Sequence, residues 1–79
     1  MNKLVGPKQI KAARALLGWS QEELAKCSDL SKPTIARLEK SISLEKHPYK
    51  TISSIFSAFT LHGIIFINQD DVTGVSIKK

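Results

Sequence analysis

Cysteine occurs once, at Cys27, so the sequence offers neither an intramolecular disulfide nor a cysteine-based metal cluster. Aromatic residues are scarce at 6%, while aliphatic residues are plentiful, a balance that suits a compact helical domain. No apolar run approaches the roughly 18 residues a membrane span needs; the longest is "GIIFI", from Gly63 to Ile67. The opening "MNKLVGPK" has no apolar stretch or small-residue cleavage site of a signal peptide. Also missing are a glycine-rich phosphate loop, a Ser/His/Asp arrangement and paired carboxylates in an apolar setting. A chain of 79 residues has little length with which to enclose a substrate pocket. His47 and His62 stand far apart and belong to no ligand pattern, so no metal, cofactor or catalytic residue is expected. Cys27 reads as a small, partly buried apolar residue. These absences leave a single small domain, expected in the cytoplasm, with oligomerisation as a route to added stability.

Charge is unevenly placed. Residues 1–50 hold ten Lys/Arg against five Asp/Glu, which accounts for the whole net charge of +5. The remainder balances Lys78 and Lys79 against Asp70 and Asp71. A basic front joined to a neutral, apolar back points to polyanion binding in one part and assembly in the other. An ordinary lysine-rich soluble surface would give the same totals.

Hydrophobic spacing predicts four helices and a hairpin. In "GPKQIKAARALLG", Pro7 suits a first turn, Ile10, Ala13 and Leu17 recur at helical spacing, and Gly18 supplies a stop. Ser20 and Glu23 form a capping box opening "QEELAKCS", with Leu24 and Ala25 facing inward. That helix ends near Asp29, a residue type that tolerates the left-handed conformation. Ser31 caps "KPTIARLEK", where Pro33 is acceptable because first-turn N–H groups have no intrahelical partner. Ile35 and Leu38 supply its inner face. After a loop containing Pro48, "TISSIFSAFTLHG" places Ile52, Ile55, Phe56 and Phe59 on one stripe, widened by Ala58 and Leu61. The tail "GIIFINQDDVTGVSIKK" changes period and reads as a β-hairpin, with a turn around Asp70 to Gly74 and a second strand "VSIK". Trp19 reads as an anchor between the first two helices.

Two short helices joined by a tight turn, between about residues 20 and 40, make a helix-turn-helix, whose second helix fits a DNA major groove roughly 12 Å wide. Lys32, Pro33, Thr34 and Arg37 project from the outer, N-terminal part of that helix. Ser31 is a cap whose hydroxyl can also meet a phosphate. The pieces "ARALLGWSQEELA" and "SKPTIARLEK" closely resemble the Cro and phage-repressor type of helix-turn-helix, the XRE family. The resemblance implies a mainly α fold, a four- to five-helix Cro/repressor-like domain over residues 1–62, followed by a C-terminal β-hairpin over residues 63–79. It further implies that Gln21 contacts phosphate and braces the third helix. Lys32, Pro33, Thr34 and Arg37 fall on the family's base-facing positions, and Lys40 falls where backbone contacts are common. Arg14 and Glu39 match a pair that forms a structural salt bridge in several members. Two positions depart from the family pattern. Asp29 stands where the turn usually carries Gly, and Pro33 replaces a hydrogen-bonding side chain, leaving only apolar contact such as with a thymine methyl.

Ile64, Ile65, Phe66 and Ile67 put large side chains on both faces of one strand, and a lone hairpin covers one face at most. Together with Phe59 they are expected to form a dimer interface. The resulting expectation is a small transcriptional regulator: a homodimeric repressor on a pseudo-palindromic operator in double-stranded DNA, cytoplasmic and nucleoid-associated when bound, and not an enzyme. The alternative is a DNA-binding antitoxin-type module whose apolar tail binds a partner protein.

Overall fold

The computed structural model describes residues 6–78; residues 1–5, which open the stretch read for a signal peptide, and Lys79 of the tail lie outside it. Helices α1 (Pro7–Leu17), α2 (Gln21–Ser28), α3 (Lys32–Lys40) and α4 (Tyr49–Thr60) precede strands β1 (Ile64–Gln69) and β2 (Val72–Ile77). The described chain is thus mainly α with a C-terminal antiparallel hairpin, and its helices number four.

Local chemistry sets the helix ends. Pro7 occupies the first turn of α1, and Gly18 closes that helix at φ 70°, left-handed backbone that glycine enters without a Cβ penalty. At α2, the Ser20 hydroxyl accepts from the Glu23 N–H at 3.1 Å while Glu23 Oε1 accepts from the Ser20 N–H at 2.9 Å. Asp29 ends α2 at φ 61°, so a residue with a Cβ carries the turn between α2 and α3. Asp29→Gly is expected to stabilise the fold by about 0.5–1 kcal/mol, the relief of left-handed strain being partly offset by the freer unfolded chain. A higher urea midpoint at unchanged slope would register the gain.

The last helix and the hairpin differ from the spacing-based boundaries. Pro48 stands at the N-cap of α4, so the helix begins at Tyr49 rather than Thr51. Leu61 lies past its end and is 82% exposed, so it does not widen the buried stripe. The hairpin turn is only Asp70–Asp71, because the strands pair from Ile64↔Ile77 to Gln69↔Val72 and Asp70 itself takes the positive φ of 55°. Gly74 therefore sits inside β2, opposite Ile67, and the second strand is longer than "VSIK". Gly63, at φ 89°, links α4 to β1; a Cβ there would lie 2.9 Å from the Lys78 carbonyl oxygen.

One core joins helices and hairpin. Ile10 of α1, Leu24 of α2, Ile35 and Leu38 of α3, and Ile55 and Phe59 of α4 are all fully buried. Ile64 and Phe66 complete this core from the inner face of β1. Phe59 stands 5.8 Å from the Trp19 ring and 5.9 Å from Phe66, while Phe56 stacks on Phe66 at 5.5 Å. Trp19 thus anchors α4 as well as the α1–α2 corner, and meets His62 edge to face with ring centroids 4.7 Å apart. Gln9, only 2% exposed, ties α1 to the hairpin by donating to the carbonyls of Ile67 at 3.3 Å and Gly74 at 3.0 Å. Its Oε1 accepts from the Gly6 N–H, which also caps α1. Nothing in hydrophobic spacing marks Gln9, since a glutamine on an amphipathic helix reads as surface.

Candidate nucleic-acid interface

The outer face of α3 is built by what holds its inner face. Ile35 and Leu38 are fully buried, which fixes the rotation of the helix about its axis. The Ser31 hydroxyl accepts from the Thr34 N–H at 3.3 Å and shares a second hydrogen bond with the Thr34 hydroxyl at 2.8 Å. Arg37 donates weakly to the Thr34 hydroxyl at 3.5 Å. Ser31, Thr34 and Arg37 therefore form a chain of polar contacts along one outer edge. Ser31, Lys32, Pro33, Arg37 and Lys40 are exposed, and Thr34 is half-buried. Pro33, Ala36, Arg37, Lys40 and Ser41 line a shallow groove on this face.

A polar cluster behind α3 sets its tilt. Arg14 of α1 binds Glu39 through two parallel contacts, Nε to Oε2 at 2.7 Å and a terminal guanidinium nitrogen to Oε1 at 2.9 Å. Its other terminal nitrogen donates to the Trp19 carbonyl at 3.0 Å. Gln21, at the start of α2, donates to Glu39 Oε1 at 3.0 Å. Three helices thus meet on one carboxylate that is 5% exposed. Burial pushes the Glu39 carboxyl up, but the hydrogen bonds from Arg14 and Gln21, with the charges of Arg14 and Lys11, outweigh it and hold it below its ordinary value. The hydrogen bond to Glu39 raises the Arg14 guanidinium above its already high value, against the opposing effect of burial. Arg14 and Glu39 are thereby a structural pair, and Gln21 keeps its side-chain carbonyl for another donor.

Lys32 is not free in the absence of a ligand. Its ammonium lies 3.6 Å from the Glu22 carboxylate of α2, with both side chains mostly exposed. An exposed pair of this kind contributes little to stability, so a phosphate or base edge can displace the carboxylate at low cost. Sequence spacing alone did not reveal Glu22, because the contact crosses the turn between two helices.

The five side chains expected at a dimer interface do not share one exposed surface. Phe59 is fully buried, Ile64 is 2% and Phe66 1% exposed, each enclosed by the protomer's own core. Within the single protomer these three side chains therefore serve the core, and Ile65 and Ile67 are the members of the set with surface left to offer. Ile65 remains 36% exposed and Ile67 half-buried, both on the opposite face of β1. Cys27 is exposed rather than partly buried, because α2 turns it away from the core side occupied by Leu24 and Ser28. Among the described residues no three of His, Cys, Asp and Glu gather as a metal site would require, and no helix is long and apolar enough to cross a membrane.

A capped, outward-facing, basic second helix locked by its neighbours defines a helix-turn-helix of the DNA-binding class. The family model for the helix-turn-helix matches residues 10–45, which contain most of α1, all of α2 and α3, and the loop beyond. Residues 10–45 are thus similar to the helix-turn-helix of the XRE type, a family of DNA-binding proteins. No curated protein matches the chain.

Proposed function

We propose that the protein is a sequence-specific transcriptional repressor that binds a pseudo-palindromic operator in double-stranded DNA as a homodimer. The observation that carries this reading is the two-sidedness of α3. Ile35 and Leu38 are locked in the core while Lys32, Pro33, Arg37 and Lys40 face solvent. Such a helix enters the major groove with its N-terminal half against base edges. In this role Arg37 and Lys32 donate to guanine or to phosphate, Thr34 contacts a base edge, and Pro33 meets a thymine methyl. Ser31, Gln21 and Lys40 contact the backbone and fix the register.

Arg37→Ala is expected to cost about 1–3 kcal/mol on the specific site and to relax preference at one base position. Equal binding of every sequence by parent and variant would remove Arg37 from the base-reading set. The exposed position of Arg37 means that the fold is unaffected by the change.

Dimerisation is supported by apolar side chains left uncovered around the hairpin: Leu61 at 82%, Val72 at 61% and Ile65 at 36% exposure. A two-fold dimer would set its recognition helices about 34 Å apart, on successive major grooves. The same exposed side chains favour a second reading, a DNA-binding module of antitoxin type whose hairpin face takes a partner protein.

Selection of bound sequences from a random duplex library tests the proposal. A symmetric motif with half-sites about one helical turn apart is the expected result. A single half-site would retain DNA reading and remove the dimer geometry. Absence of enrichment at physiological salt would leave the partner-binding reading.

A further inference from the structure

We infer that a basic edge formed by Lys8 and Lys11 of α1 continues the DNA-facing surface beyond α3 and grips the phosphate backbone of duplex flanking the recognised half-site. The inference rests on the duplex-binding reading of α3. It adds a second helix to the contact surface and makes the length of the bound duplex a determinant of affinity.

Two neighbouring grooves carry the argument. One lies on the outer face of α3, lined by Pro33, Arg37, Lys40 and Ser41. The other lies between the start of α1, the end of α3 and the hairpin, and is lined by Lys8, Lys11, Lys40, Ser41 and Ile42 among others. Lys40 and Ser41 border both grooves, so the surface runs unbroken from the recognition helix to the first turns of α1.

The charge along this second groove is of one sign. Lys8, Lys11 and Lys40 are all exposed. The carboxylate in its lining is Glu39, which is 5% exposed and already neutralised by the Arg14 guanidinium at 2.7 Å. Glu22, Glu23, Asp29, Glu45, Asp70 and Asp71 line neither groove. Three lysines without a competing exposed acid suit a rigid polyanion whose charges recur every few ångströms. Lysine acts there as a point charge, so the contact adds affinity without sequence preference. Ile42, fully exposed in the same groove, places an apolar side chain where a desolvated sugar edge can pack.

The test compares the parent with the double variant Lys8→Gln/Lys11→Gln, using a duplex that carries the selected site with an extra half turn on each side. Because each released phosphate contact contributes a slope of about 0.9, the variant is expected to flatten the log-affinity against log-salt plot by about 2 and to bind about 10-fold more weakly. Its base preference should equal the parent's. A control of equal charge change, Lys26→Gln/Lys78→Gln, should keep the parent's slope. On a duplex trimmed to the recognised site alone, parent and variant should bind alike. Thermal melts of both variants establish that the fold is intact. A parental slope in the Lys8/Lys11 variant, or a loss no larger than the control's, overturns the inference while leaving the recognition-helix reading standing. Failure of the parent to bind any duplex overturns both.

Discussion

Phe59→Ala is expected to destabilise the protein by about 3–5 kcal/mol, the range for emptying a phenylalanine site in a packed core. Phe59 is fully buried where α4 meets the corner between α1 and α2, and the hairpin closes over it. Its ring contacts Trp19 at 5.8 Å and Phe66 at 5.9 Å, so truncation removes two aromatic contacts together with the apolar burial. The neighbours cannot collapse freely into the space, because Trp19 follows directly on the Gly18 turn and Phe66 is held in register by β2. A 79-residue domain has only about 4–12 kcal/mol to lose. Urea titration followed by tryptophan fluorescence should therefore show the transition moved to very low denaturant, with Trp19 reporting its own exposure. A loss under about 1 kcal/mol would mean that the α4–hairpin junction repacks, contrary to the close packing of protein interiors.

Arg14→Ala is expected to cost about 3 kcal/mol, because it leaves the Glu39 carboxylate buried with Gln21 as its remaining hydrogen-bond donor. The figure sits at the lower end for a broken buried pair, since the Arg14 side chain is itself 20% exposed. The double variant Arg14→Met/Glu39→Leu should recover most of the loss, because no uncompensated charge remains in the core. The pH dependence gives an independent check. In the parent, Glu39 titrates below its unfolded value, so its stabilisation is complete above the unfolded carboxylate range near about 4.3 and drains away as pH falls through the folded value. Arg14 is raised, so its share is lost only at strongly alkaline pH. In Arg14→Ala, burial becomes the dominant influence and raises the carboxyl above its unfolded value. Stability should then decline as pH rises from 4 toward 7, a range in which Glu39 leaves the parent's stability nearly level. An unchanged slope would show that the Arg14 contact does not control Glu39.

Affinity for DNA should follow both changes, since Glu39 joins α1, the start of α2 and the end of α3. On the proposed base-reading role of α3, a shift of a fraction of an ångström would move Arg37 and Lys32 out of register with base edges while leaving lysine contacts to phosphate largely in place. Weakened specific binding with non-specific binding preserved is the expected pattern for Arg14→Ala at temperatures where it remains folded.

The helices, the caps and the hairpin follow from local chemistry that a linear chain carries openly. Pro7, Gly18, Ser20 with Glu23, Asp29 and Ser31 act within a turn of where they stand, so α1 and α2 begin and end, and α3 begins, where those residues put them. Periodicity likewise marks Ile35 and Leu38 as inner and Arg37 as outer, because residue spacing on a helix fixes the face. The start of α4 and the hairpin turn were less legible. Tyr49 precedes any apolar repeat, and either Asp70 or Gly74 could supply a positive φ.

Contacts between distant segments were decided by the tertiary structure alone. Spacing places four large side chains on β1 but cannot say which face is covered. Packing against α4 encloses Ile64 and Phe66 and leaves Ile65 outside. Gln9 reaching the carbonyls of Ile67 and Gly74, Lys32 meeting Glu22, and Lys8, Lys11 and Lys40 gathering around one groove all depend on how whole elements are oriented. Sequence by itself determined the elements and the basic outer face of α3, since hydrogen bonding and helical period act over a few residues. Tertiary structure decided which apolar surface remains available for assembly and how far the basic surface extends, because burial is a property of the packed molecule.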